Sequence, residues 1–275
     1  MIRSTHVDYI LSVWLIQTVY KLFPQYAYKL LKRKLLTPNS RAATWGKSVK
    51  QTTYKTKYGK VRTYSVGEGK VIWLVHGWTH AIQFTPLMKK LVKQGYCCVA
   101  IEFLPNSVGD KVLSAQQWSN TFDVVSRRLP RPYHVVAHGL SASVVGNSKW
   151  LKNSPTDLTL ISPVLDWYQS LARVVSENKL PKALFNELER EIHFVDKVRL
   201  SEQNATQHIN AITTRLSVFY SKKDGTSTVG AVENLTEKSQ RKFAEFKGAS
   251  TDRMINSRSL LATISQSPKK LDIAV

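Results

Sequence analysis

From residue 52 onward, short apolar runs recur with helix-like sequence between them, and this alternation constrains the fold more than any other feature of the chain. TTYKTKY and VRTYSVG alternate in the manner of a hairpin. VIWLV is a continuous apolar run, and CCVAIEF, YHVVAH, LTLIS, LSVFY and KFAEF follow it at intervals. Uninterrupted apolar runs mark strands buried on both faces. Strands separated by helices are joined by crossovers, so the expected fold is α/β: a mostly parallel central sheet of about eight strands with helices on both faces. A chain of 275 residues with 43% apolar content can bury such a core.

Three segments stand apart from this rhythm. Residues 166–208 lack strand patterns, carry the helical stretch LPKALFNELEREIHFV, and interrupt the alternation between two strands, as an inserted helical lid would. Gly67-Glu68-Gly69-Lys70 lacks the spacing of a phosphate cradle and is expected to be a hairpin turn. Residues 1–49 precede the alternation and form a helical arm, leaving 50–275 as the main domain. Within the arm, YILSVWLIQTVY is broken by Gln17 and Thr18 and closed by Lys21 and Pro24, which makes it shorter than the ~20 residues that span a bilayer. A secretory signal is not expected either, because Asp8 offsets Arg3 and no small-residue cleavage site follows the run.

Charge concentrates in the same region. The whole chain carries a formal net charge of +21, and residues 1–60 hold twelve Lys or Arg against the single acid Asp8. In QYAYKLLKRKLLTP, Tyr26, Leu30, Leu31 and Leu35 fall near helical spacing, while Lys29, Lys32 and Arg33 take the other side. Two expectations follow: an arm packed across the core with a solvated basic face, or a segment, residues 9–35, that lies on an anionic membrane surface. Nucleic acid is the weaker partner, since no recognised binding motif accompanies the charge. The two cysteines, Cys97 and Cys98, are neighbours within one strand pattern, where side chains point to opposite faces and a disulfide fits poorly. Two free, mainly structural thiols fit a reducing, cytoplasmic setting, with the inner face of the membrane as a further location.

In open α/β sheets the chemistry sits at the carboxyl ends of the strands, and four such ends are informative. VIWLVHGWTH ends a strand in His76-Gly77-Trp78. YHVVAHGLSASVVGN runs from a strand through a tight turn into a helix. LSVFYSKKDGT places Asp224 after a strand, and FKGASTDRMINSRSLL follows the last strand. No run of His, Cys or carboxylates has metal-ligand spacing, and no cofactor motif appears, so none is expected.

In this order and spacing, the segments resemble the α/β-hydrolase fold superfamily over roughly residues 50–266, in particular bacterial esterase- and lipase-like members. The resemblance implies that the N–H groups of Trp78 and Leu140 form an oxyanion hole, that Asp224 stands at the position of the triad acid, and that His76, Gly77, His138 and Ser141 border the pocket. Ala137-His138-Gly139-Leu140-Ser141-Ala142 matches the family form G-H-S-L-G-G position by position, with Gly139 where the serine belongs. Gly248-Ala249-Ser250-Thr251 matches G-x-G-H with Thr251 at the histidine. All seven histidines lie at or before His208, so none follows Asp224. Glycine has no side-chain oxygen and threonine takes no proton near neutral pH, which removes acyl transfer through a serine ester.

Three readings follow. The first is a hydrolase-fold protein without serine-hydrolase activity that binds an apolar or acyl small molecule or a protein partner. The second is an active carboxylic-ester hydrolase with a nonstandard nucleophile, such as Ser141 with a lid histidine like His208; Ser143 is the other serine near the turn. The third, a nucleic-acid-associated basic protein, rests on charge alone.

Overall fold

Side chains alternate across each central strand, and this splits the interior into two cores. In β3 (Lys70–His76), Trp73 and Val75 enter one core while Ile72 and Leu74 enter the other. β4 (Tyr96–Leu104) divides in the same way, Val99, Ile101 and Phe103 against Cys98 and Ala100. A sheet with a core on each face must be covered by helices on each face. The two cysteines follow the pattern: Cys97 packs against the first core and Cys98 lies within the second, both as free thiols.

The computed structural model describes residues 6–36, 45–76, 80–104, 114–153, 156–222, 232–235, 240–247 and 251–265. Among them, eight strands form one sheet in the order β1-β2-β4-β3-β5-β6-β7-β8, with β1 (Lys50–Lys55), β2 (Lys60–Val66), β5 (His134–His138), β6 (Asp157–Ile161), β7 (Leu216–Tyr220) and β8 (Arg241–Glu245). β1 and β2 pair antiparallel, as do β2 and β4; all pairs from β4 through β8 are parallel.

One turn differs from expectation. Gly67-Glu68-Gly69-Lys70 joins β2 to β3, yet these strands are not partners, because β4 lies between them. The segment is a crossing beneath the start of β4 rather than a hairpin turn. Both glycines have positive φ, +86° and +99°, and a Cβ there would sit 2.5 Å from the Tyr96 carbonyl and 2.3 Å from that of Gly95. Only glycine tolerates that approach.

The helices are α1 (His6–Leu22), α2 (Pro24–Leu36), α3 (Thr85–Lys93), α4 (Ala115–Ser126), α5 (Ser141–Gly146), α6 (Lys149–Lys152), α7 (Trp167–Glu177), α8 (Lys182–Asp196), α9 (Thr206–Ala211), α10 (Thr251–Ile255) and α11 (Arg258–Ser265). Between β6 and β7 the chain makes α7, α8, a short 3-10 turn at Leu200–Glu202 and α9, with Asp166 capping α7 through the Gln169 N–H. Trp167 packs edge-on against Trp118 of α4, which stacks on Phe103 with ring centroids 5.1 Å apart.

α1 and α2 form one helix kinked at Pro24: the Phe23 N–H still reaches the Val19 carbonyl and the Ala27 N–H reaches that of Phe23. This arm docks on the inserted helices. The Gln17 amide donates to the Asn178 and Lys179 carbonyls, Lys32 Nζ pairs with Glu191 of α8 at 2.8 Å, and the Tyr28 hydroxyl donates to the same carboxylate. Its buried stripe is Ala27, Tyr28, Leu31 and Leu35, so Tyr26 faces solvent and Lys32 turns inward, opposite to the sides read from spacing. The stripe is shifted because the carboxylate of Glu191 draws in both a hydroxyl and an ammonium. Among the described residues no helix is long and apolar enough to cross a membrane.

Candidate functional site

Parallel register sets three polar side chains abreast at the carboxyl ends of adjacent strands. His76 of β3 pairs with Glu102 of β4 on one side and His138 of β5 on the other. All three are buried. His138 Nδ1 lies 3.0 Å from His76 Nε2, which also meets Gln83 Oε1 at 3.0 Å, and Phe84 packs edge-on against both rings. Glu102 accepts from the Tyr64 hydroxyl at 2.9 Å and the Ala81 N–H at 3.3 Å, with His80 Nδ1 3.9 Å away. Burial pulls the His76 imidazolium down to about 4, and burial together with the neighbouring His76 ring holds His138 well below the ordinary histidine value. At neutral pH the two rings are an uncharged hydrogen-bonded pair. Among the described residues no three His, Cys, Asp or Glu converge in a way that could hold a metal ion.

From this row the chain makes a sharp turn. Gly139 has φ +58°, its N–H donates to the Ile161 carbonyl at 2.9 Å, and its own carbonyl accepts from Val164 at 3.0 Å and Ala142 at 3.1 Å. Leu140 then takes helical angles and opens α5. This is a strand, a left-handed residue and a helix in succession, the backbone geometry of a nucleophile elbow, with glycine at the left-handed position. A Cβ placed on Gly139 would find no atom within 4 Å, so the space beside it is open.

Ser141 is fully buried, and its hydroxyl is committed to backbone. It accepts from the His138 N–H at 2.8 Å and has two carbonyl acceptors, Val75 at 2.6 Å and His138 at 2.9 Å. One hydroxyl thereby ties the end of β3 to the end of β5 and the start of α5 as a clamp. Ser143 is likewise buried and accepts from the Asn147 amide at 3.3 Å. His208 meets Asn147 Oδ1 at 3.2 Å, beyond the far end of α5, and a helix of that length rises about 9 Å. The structure therefore does not bring Ser141 and His208 together.

The other expected positions are described in part. Gly77, Trp78 and Asp224 lie outside the described residues. Thr251 begins α10, although its side chain is outside what the structure describes. α10 itself is brought to the elbow: Met254 Sδ lies 3.6 Å from Ser162 Oγ, and Ser162, strained at φ 43°, follows β6 between the Ile161 and Val164 groups that hold Gly139. Glu102 and Gln83 escaped sequence reasoning. Glu102 left a signal, being the one acid inside the apolar run CCVAIEF; Gln83 left none.

A cavity of about 610 Å³ lies elsewhere, lined by Trp73, Asp123, Arg127, Arg131, Lys149 and Trp150 among others. It sits toward the amino ends of the strands, where the segment Pro130–Pro132 enters β5. Ligands of open α/β sheets bind at the opposite ends, so this cavity is not the one the elbow serves.

No protein-family model matches the sequence, and no curated protein matches it either. Solved structures match its fold. An N-acyl homoserine lactonase superposes with a TM-score of 0.57 at 12% identity, covering 82% of this chain and 100% of its own. The thioesterase domain from the curacin biosynthetic pathway gives 0.56 at 13% identity, with 79% and 99% covered. A bacterial membrane phospholipase A gives 0.56 at 12% identity, with 95% and 96% covered. At such identities the likeness concerns architecture. The chain has the α/β-hydrolase fold.

Proposed function

We propose that the protein is an esterase- or lipase-like α/β-hydrolase scaffold without serine-hydrolase chemistry, which uses the space beside the elbow to bind an apolar or acyl ligand or a segment of a protein partner. The observation that carries this reading is Gly139: the turn keeps its positive φ and its open surroundings, while the residue has no atom able to attack a carbonyl. Thr251 at the histidine position and the absence of any histidine after Asp224 support it from the sequence. The clamped hydroxyl of Ser141 argues against a relocated nucleophile.

The test is hydrolysis of short and medium p-nitrophenyl esters by the natural chain beside a Gly139→Ser, Thr251→His double variant. The natural chain is expected to be inert. Activity gained by the double variant would support working oxyanion donors and a working Asp224. Turnover by the natural chain at ordinary enzyme rates, abolished by Ser141→Ala, would overturn the proposal.

A further inference from the structure

The kinked arm wears apolar side chains on two faces, and only one of them is buried. Ile16, Ala27, Tyr28, Leu31 and Leu35 are buried against the inserted helices and their core. On the outer side Trp14, Leu15, Leu22, Phe23 and Tyr26 are between 45% and 74% exposed. Trp14 and Leu15 lie two turns before Leu22 and share its side of α1, and Phe23 and Tyr26 continue past the kink. The arm is not loosely held, since Gln17, Tyr28 and Lys32 fasten it to the α7–α8 turn and to Glu191. Beside Glu191, three and four residues on along α8, Phe194 and Val195 are 74% and 50% exposed, and Lys197 Nζ sits 4.5 Å over the Phe194 ring.

Cations border this apolar surface. Lys21, Lys29 and Arg33 are exposed along the arm, and residues 9–36 hold five Lys or Arg and no acid. We infer that the outer face of α1 and α2, extended by the end of α8, is a docking surface for an anionic phospholipid bilayer, on which the arm lies flat. Trp, Tyr, Phe and Leu would enter the boundary between headgroups and acyl chains while the flanking cations meet anionic headgroups. The arm does not cross, because neither helix is long and apolar enough. A second copy of the chain fits the face poorly, since it would bring another +21 of charge against the same basic rim. This inference goes beyond ligand binding at the elbow and stands whether or not that reading holds.

The experiment is flotation of the full chain with vesicles of phosphatidylcholine containing roughly a third phosphatidylglycerol, and with vesicles of phosphatidylcholine alone. Binding to the anionic vesicles is expected to be at least about tenfold tighter and to weaken as salt rises. Leu22→Ser with Phe23→Ser, and separately Lys29→Glu with Arg33→Glu, should each weaken it at least about tenfold while leaving the circular dichroism of the folded chain unchanged. All four residues are exposed, so the fold does not depend on them. Three results would overturn the inference. One is no flotation with the anionic vesicles. Another is binding that the Leu22 and Phe23 variant leaves intact, which would reduce it to diffuse charge. The third is a dimer seen by light scattering that this same variant dissolves, which would assign the face to a second copy.

Discussion

The elbow and the arm are held in opposite ways. At the elbow the restraints lie within the sheet and its turn: Gly139 is bonded through its backbone to Ile161, Val164 and Ala142, and the buried hydroxyl of Ser141 bridges Val75 and His138. None of those bonds uses the side chain that a hydrolase would place at residue 139. The turn therefore does not depend on a side chain at residue 139. The arm is fastened instead by long side chains meeting an inserted segment, and it keeps a large apolar face in solvent. Geometry belonging to the sheet is set by the sheet's own bonds; geometry belonging to a docked helix depends on what the helix touches.

The sharpest way to separate the two regions is acid. His76 and His134 are fully buried, and desolvation holds each folded imidazole at about 4, below the ordinary 6.5. His134, on β5, lies 2.8 Å from Thr159 Oγ1 of β6. Between those pH values the unfolded chain binds protons that the folded chain refuses, so stability is full above about 6.5 and falls as pH drops toward 4. The loss between pH 7 and pH 5 should be roughly 2 kcal/mol for each of these imidazoles, read from urea unfolding at the two pH values. Among the described residues the buried histidines, His76, His134 and His138, all stand on strands of the sheet, so the decline belongs to the sheet and elbow. A flat profile across that range would show that water or a counter-charge reaches these rings.

Next in size is the clamp. Ser141→Ala leaves the His138 N–H without its acceptor in a fully buried site, which should cost about 2 kcal/mol by urea unfolding at pH 7. The effect sharpens the comparison by separating a backbone tie from a catalytic hydroxyl. A neutral substitution would mean that the turn at Gly139 is held without it.

Much of this was legible in sequence, for physical reasons that differ by element. Continuous runs such as VIWLV and YHVVAH announce strands because both faces of a parallel sheet are buried, and Gly139 announces the turn because it needs a positive φ. The crossing at Gly67-Glu68-Gly69 was not legible as such, since a pair of glycines between two strand patterns looks the same whether or not a third strand later slips between them. The arm shows a further limit. Its helices follow from periodicity, but the face it buries is set by Glu191, 159 residues away from Lys32 in the chain, and no local pattern contains that partner. The abreast row of Glu102, His76 and His138 is likewise a product of register, which composition cannot supply.

The smallest effect concerns that partner. Glu191 is 37% exposed at its side chain, and it joins Lys32 and the Tyr28 hydroxyl, both of which are largely covered. An ion pair this open to solvent contributes no more than about 1 kcal/mol, so Glu191→Ala should shift the urea midpoint only slightly. Its consequence should instead be local: Lys29, Lys32 and Arg33 lie on the segment it fastens, and limited trypsin digestion should cut there several times faster while the sheet stays intact. If Glu191→Ala lowers global stability as much as Ser141→Ala does, the arm is part of the cooperative core. The distinction between an elbow held within the sheet and an arm held by docking would then fail.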